Sequence, residues 1–60
     1  METEFVKIYE LNKFDRFRFV VEGMTFDATF YKMDGMYAHV LIDGHEQIEL
    51  LHCALEVMKW

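Results

Sequence analysis

Apolar and polar residues alternate through the middle of the chain, and three acid-glycine pairs punctuate the alternation: Glu22-Gly23, Asp34-Gly35 and Asp43-Gly44, twelve and nine residues apart. Short alternating runs between turn signals at that spacing predict a β-meander. Register tests the reading. With Glu22-Gly23 as a two-residue loop, Val21 faces Met24, Phe19 faces Phe26 and Phe17 faces Ala28, all on one side. On the other side Arg18 faces Asp27 and Arg16 faces Thr29, and a cross-strand pair of opposite charge suits that register. A slip of one residue would scramble both faces.

For the second hairpin, a three-residue loop Met33-Asp34-Gly35 sets Phe30 against Ala38, Ala28 against Val40 and Phe26 against Ile42, which continues the same core face. A two-residue Asp34-Gly35 loop would set Asp27 against Ile42 and is rejected. The expected strands are Phe14–Val21, Met24–Lys32 and Met36–Ile42. Their core face carries Phe17, Phe19, Val21, Met24, Phe26, Ala28, Phe30, Met36, Ala38, Val40 and Ile42.

The tail changes period. Glu46 to Trp60 has no Gly or Pro and is rich in good helix formers. On a helical wheel, Ile48, Leu50, Leu51, Ala54, Leu55, Val57 and Met58 cover about half the circumference, with Glu49, His52, Glu56 and Lys59 opposite. Asp43 and Glu46 then form an acidic capping box. The competing reading is a fourth strand at Gln47–Leu51, where Gln47-Ile48-Glu49-Leu50 alternates, and Asp43-Gly44 becomes a hairpin turn. The helix is preferred because the composition sustains four turns. Thr3–Glu10 reads as an edge strand followed by a turn at Leu11-Asn12-Lys13. The fold class expected is α+β: one domain over residues 1–60, an antiparallel meander of three to four strands with a C-terminal helix on one face (ββββα). The alternative is an all-β, SH3-like small barrel.

Length and composition narrow the function. Sixty residues bury only about 60% of the unfolded surface, which leaves no room for a walled cleft. An apolar fraction of 53% excludes disorder. The lone cysteine, Cys53, cannot close an intramolecular disulfide or build a cysteine zinc site, which points to a reducing, cytoplasmic setting. The N-terminus is acidic where a signal peptide is basic, and no apolar run approaches a membrane span. The net charge of −5 disfavours duplex nucleic acid and suits a basic protein surface; it also serves solubility alone.

Candidate chemistry is sparse. Serine is absent, and no H-E-x-x-H, C-x-x-C, calcium loop or phosphate loop occurs. His45 with Glu49 makes at most a weak ligand pair, and His39, His45 and His52 read more simply as solvated residues. Cys53 beside His52 reads as a buried, inert thiol. A non-enzyme without metal or cofactor is expected.

What remains is surface. The register leaves Arg16, Arg18, Tyr31, Tyr37 and His39 on the open side of the sheet, and Tyr and Arg are enriched anchors at interfaces. The plainer reading is a wet sheet face whose Tyr and Thr are simply good strand formers. These five are the candidate partner-binding residues. The leading expectation is a small acidic protein-binding module that inhibits or modulates another protein. A single-stranded nucleic-acid binder stacking bases on the same face and a self-associating structural protein, such as a homodimer, are the alternatives. Glu46, Glu49 and Glu56, with Glu2, Glu4 and Glu10, offer a further role as a mimic of nucleic-acid phosphate, against ordinary solvated carboxylates.

The segment Phe30–His39, with Asp34-Gly35-Met36-Tyr37 at its turn, resembles a hairpin of very short phage-encoded β proteins. Those proteins continue into another strand where this chain reads as helix. The resemblance implies a phage or mobile-element origin and action by binding and blocking a host or defence factor. It assigns no functional residue.

Overall fold

A computed structural model describes residues 4–60. It contains six strands: β1 (Phe5–Lys7), β2 (Arg16–Val21), β3 (Met24–Asp34), β4 (Tyr37–Ile42), β5 (Glu49–His52) and β6 (Glu56–Lys59), with one 3-10 turn at Ile8–Glu10. All pairings are antiparallel, in one sheet ordered β1-β6-β2-β3-β4-β5. The chain is therefore all-β, not α+β. The expected helix over the tail is absent, and residues 46–60 supply β5 and β6 instead. The sheet is also wider than the expected three to four strands. Among the described residues β1 and β5 are its edges, each with one strand partner, and the all-β class of the alternative is the one that forms.

The first hairpin has the expected register, from Arg16 opposite Thr29 to Val21 opposite Met24. Glu22 and Gly23 both take positive φ (51° and 79°), the signature of the turn whose twist matches its strands. The second hairpin differs. Its loop is Gly35-Met36, with Asp34 opposite Tyr37 and Met33 opposite Ala38. Only Gly35, the first central residue, has positive φ (62°), as a Gly-led type II′ turn requires. Carried on unbroken, that register would bring Tyr31 against Val40 and Thr29 against Ile42. An irregularity between Phe30 and Lys32 absorbs one residue, Tyr31, after which Phe30 opposes Val40 and Ala28 opposes Ile42. The core face thus stays in phase, with pairs displaced from those expected.

The tail follows the unmet needs of the meander. β4 and β2 would otherwise present open hydrogen-bonding edges. β5 pairs with β4, His52 opposite Tyr37 through Glu49 opposite Val40. β6 fits between β1 and β2, with Val57 opposite Val6 and Met58 opposite Arg18. Ladder hydrogen bonds and burial against the sheet override helix propensities of a few tenths of a kcal/mol per residue. The apolar arc expected of the helix is divided: Val57 is fully buried, Leu51 and Leu55 pack on the core, and Ile48 and Leu50 stay exposed.

The core gathers Phe17 and Phe19 from β2, Ala28 and Phe30 from β3, and Ala38, Val40 and Ile42 from β4. Phe19 stacks on the half-buried Phe26 with ring centroids 5.4 Å apart. Ile8 and Leu11, around the 3-10 turn, fill one side of it, so β1 ends earlier than expected. Val21, Met24 and Met36, expected in the core, are exposed beside the hairpin loops, where no strand covers them. Among the described residues no polar or charged side chain is buried, and no helix is long and apolar enough to cross a membrane.

Candidate functional site

Strand alternation that buries Phe17, Phe19 and Val57 turns their neighbours outward. One outward row runs across four strands: Phe5, Met58, Arg18 and Asp27 are successive cross-strand partners. Beside it, the Trp60 N–H donates to the Arg16 carbonyl at 3.2 Å, which places Trp60 next to Arg16, and Arg16 in turn faces Thr29. The two guanidiniums lie against the Trp60 ring, Arg18 Cζ at 5.3 Å and Arg16 Cζ at 5.9 Å from its centroid. That is cation–π range.

Both arginines are held by carboxylates. Arg16 donates from Nη1 and Nη2 to Asp43 Oδ1 and Oδ2 at 2.8 and 2.7 Å, and from Nη1 to Thr29 Oγ1 at 3.0 Å. Arg18 donates from Nε to Asp27 Oδ1 at 2.7 Å and from Nη2 to Oδ2 at 3.4 Å. The hydrogen bond from Arg16 holds the Asp43 carboxyl below its ordinary value of 3.8, and the same contacts raise Arg16 and Arg18. The result is a neutralised, geometrically fixed Arg-Asp platform under an open indole. Trp60 is 67% exposed, Phe5 61% and Val20 50%.

The other predicted residues lie elsewhere. Tyr37 and His39 project from β4 toward β5 side chains, not toward the arginines. The Tyr37 ring meets His52 edge-on at 5.8 Å. His39 Nε2 lies 3.2 Å from Asp34 Oδ2, and Leu50 is its cross-strand partner. Tyr31, at the irregularity, meets Phe14 edge-on at 5.7 Å and not Tyr37, as the expected register would have it. The five residues therefore fall into three groups: Arg16 with Arg18, Tyr37 with His39 on β4, and Tyr31 by itself.

Sequence reasoning missed Trp60, Phe5 and Met58 at this site because it placed Trp60 at the end of a helix. The signal was the strand-like alternation at Gln47–Leu51, weighed above as a fourth strand and set below the helix.

The tail's expected pairs change with its fold. Asp43 is the partner of Arg16, not a helix cap for Glu46. Glu56 approaches Lys7 at 3.5 Å and Lys59 approaches Asp15 at 3.7 Å. His45 Nδ1 lies 3.7 Å from Glu49 Oε2, between a loop and a strand instead of along one helix face. Cys53 is half-buried in the β5–β6 turn, not fully buried, with Sγ 4.0 Å from His52 Nδ1. That nitrogen accepts the Ala54 N–H at 3.0 Å. Among the described residues no three His, Cys, Asp or Glu side chains gather closely enough to hold a metal ion.

No family model matches the chain, and no curated protein or solved structure matches it either.

Proposed function

We propose that this chain is a protein-binding module whose contact surface is the outward side of β1, β6 and β2, with Trp60 as its anchor. The observation that carries the reading is the exposed indole resting on two arginines that their own carboxylates already orient. Trp and Arg dominate interface energetics, and side chains fixed beforehand lose little entropy on binding. Phe5 and Val20 are exposed on the same outward side of these strands, which suits a partner offering an apolar pocket.

The same geometry favours protein over nucleic acid. A phosphate-binding arginine needs its donors free, whereas Arg16 and Arg18 give theirs to Asp43 and Asp27. The net charge of −5 adds repulsion from a polyanion. The resemblance at Asp34-Gly35-Met36-Tyr37 extends the proposal to a phage-encoded, cytoplasmic protein that blocks a host or defence factor.

The test is capture of a stoichiometric partner by native chain and by Trp60→Ala, with circular dichroism confirming the fold of both. Removing an anchor of this kind costs about 2 kcal/mol or more, about thirtyfold in affinity. Capture that Trp60→Ala leaves unchanged refutes the surface. Tight binding of a short oligonucleotide that weakens steeply with salt refutes the partner class.

A further inference from the structure

The two edges of the sheet are finished differently. On β1, the Lys7 N–H is already taken by the Glu10 carboxylate at 2.8 Å, and the chain turns at once into the 3-10 turn. Among the described residues β5 has no such block. The Cys53 N–H donates to the Met36 carbonyl at 2.8 Å, which sets the phase of the β4–β5 ladder. Hydrogen-bonded pairs alternate along an antiparallel ladder, so Leu51 and Glu49 direct their backbone groups at β4. Leu50 and His52 direct theirs away from it. The His52 carbonyl is taken by the Leu55 N–H. The N–H and C=O of Leu50 and the N–H of His52 therefore line an open edge, beside the exposed side chains of Leu50 (58%) and Ile48 (47%).

We infer that β5 pairs with β5 of a second copy, antiparallel about a two-fold axis through Leu50, joining two sheets into one. The edge is complementary to itself. With Leu50 opposite the Leu50 of the second copy, each residue's N–H meets the other's C=O. The His52 N–H then meets the opposing Ile48 carbonyl. Because the offset is even, outward side chains of both copies stay on one side and the two cores on the other. Leu50 packs on Leu50 and Ile48 on His52, while Glu49 faces Leu51. No carboxylate is set directly against another, although each chain carries −5. A two-fold contact of this kind is closed and uses the β5 edge of both copies. The assembly stops at two chains and leaves the Trp60 face free.

Sedimentation of the full chain from micromolar to millimolar concentration should show the mass rising from 7.3 kDa toward twice that value. Added salt should strengthen association by screening the like net charges. Over the same range the Leu50 amide should exchange at least about tenfold more slowly, as a newly hydrogen-bonded group does, while the Phe5 amide is unchanged. Leu50→Pro removes an N–H that the β4 ladder does not use and should hold the protein monomeric. Leu50→Lys, which opposes two ammonium groups on the axis, should do the same and serves if the proline variant does not fold. Trp60→Ala should associate as the native chain does. A single-chain mass throughout, slowing at Phe5 instead of Leu50, or undiminished association of the folded Leu50 variants overturns the inference. So does association lost in Trp60→Ala.

Discussion

At the scale of single residues, the outward face depends on pairs that fix geometry more than on individual strong contacts. Asp43 is an example, since it holds Arg16 through both carboxylate oxygens. Its carboxyl lies below the ordinary 3.8 in the folded chain, so its stabilising contribution is complete above that value. The contribution is lost as pH falls through the lowered one. Asp43→Asn should therefore be less stable than the native chain at about pH 7, and the gap should close by about pH 2, as urea titrations at the two pH values would show. Glu22 is a second case. It sits at φ 51°, where a side chain other than Asn or Gly is strained. Glu22→Asn should raise stability by about 0.5–1 kcal/mol, read as a higher urea midpoint with unchanged slope. Gly35 meets the same requirement without strain, which is why the loop forms there and not one residue earlier.

Among the elements, β6 is the one on which the sheet turns. It joins β1 to β2, strands that have no direct pairing, and sinks Val57 completely into the core. Val57→Ala should cost about 2 kcal/mol. Met58→Ala, one position along and facing outward, should cost clearly less, as thermal melts of the two variants would show. The first hairpin was readable from sequence because its information is local: a two-residue turn, a two-residue period and two opposite-charge partners agree. The second was half readable. Its faces follow from alternation, but the extra residue at Tyr31 is legible only once both strands are laid side by side. The tail misled because Leu, Glu, Ala and Met favour a helix in isolation, while the strands that β6 joins, β1 and β2, lie far away in the chain. Of the candidate surface, Arg16 and Arg18 came from that local register. Trp60 could not, since its place beside them depends on β6.

For the whole molecule, the consequence of this topology is slow assembly. Val6 meets Val57 and Phe17 meets Lys59, so loop closure across nearly the full chain precedes the last ladder. Chains dominated by such pairings fold in about milliseconds to seconds, where helical domains of this size take about microseconds to milliseconds. Stopped-flow refolding followed by far-ultraviolet circular dichroism should find the slower range and a β spectrum, without the helical band that the tail's composition suggests. A thin core also leaves much apolar surface outside: Phe5, Trp60 and Leu50 are exposed on two separate stretches of one sheet. The proposed partner face and the proposed edge contact between copies both rest on that distribution.

The amino-acid order by itself determined the alternating faces of β2, β3 and β4, the turn at Glu22-Gly23, and the outward placement of Arg16 and Arg18, because each follows from neighbours a few residues apart. Tertiary structure alone decided that the tail is two strands, that Tyr31 is the extra residue in β3, and that Trp60 rests on the arginines. The reason is that open edges of a sheet demand hydrogen-bonding partners wherever in the chain these lie, and that demand exceeds the helical preference of the residues that meet it.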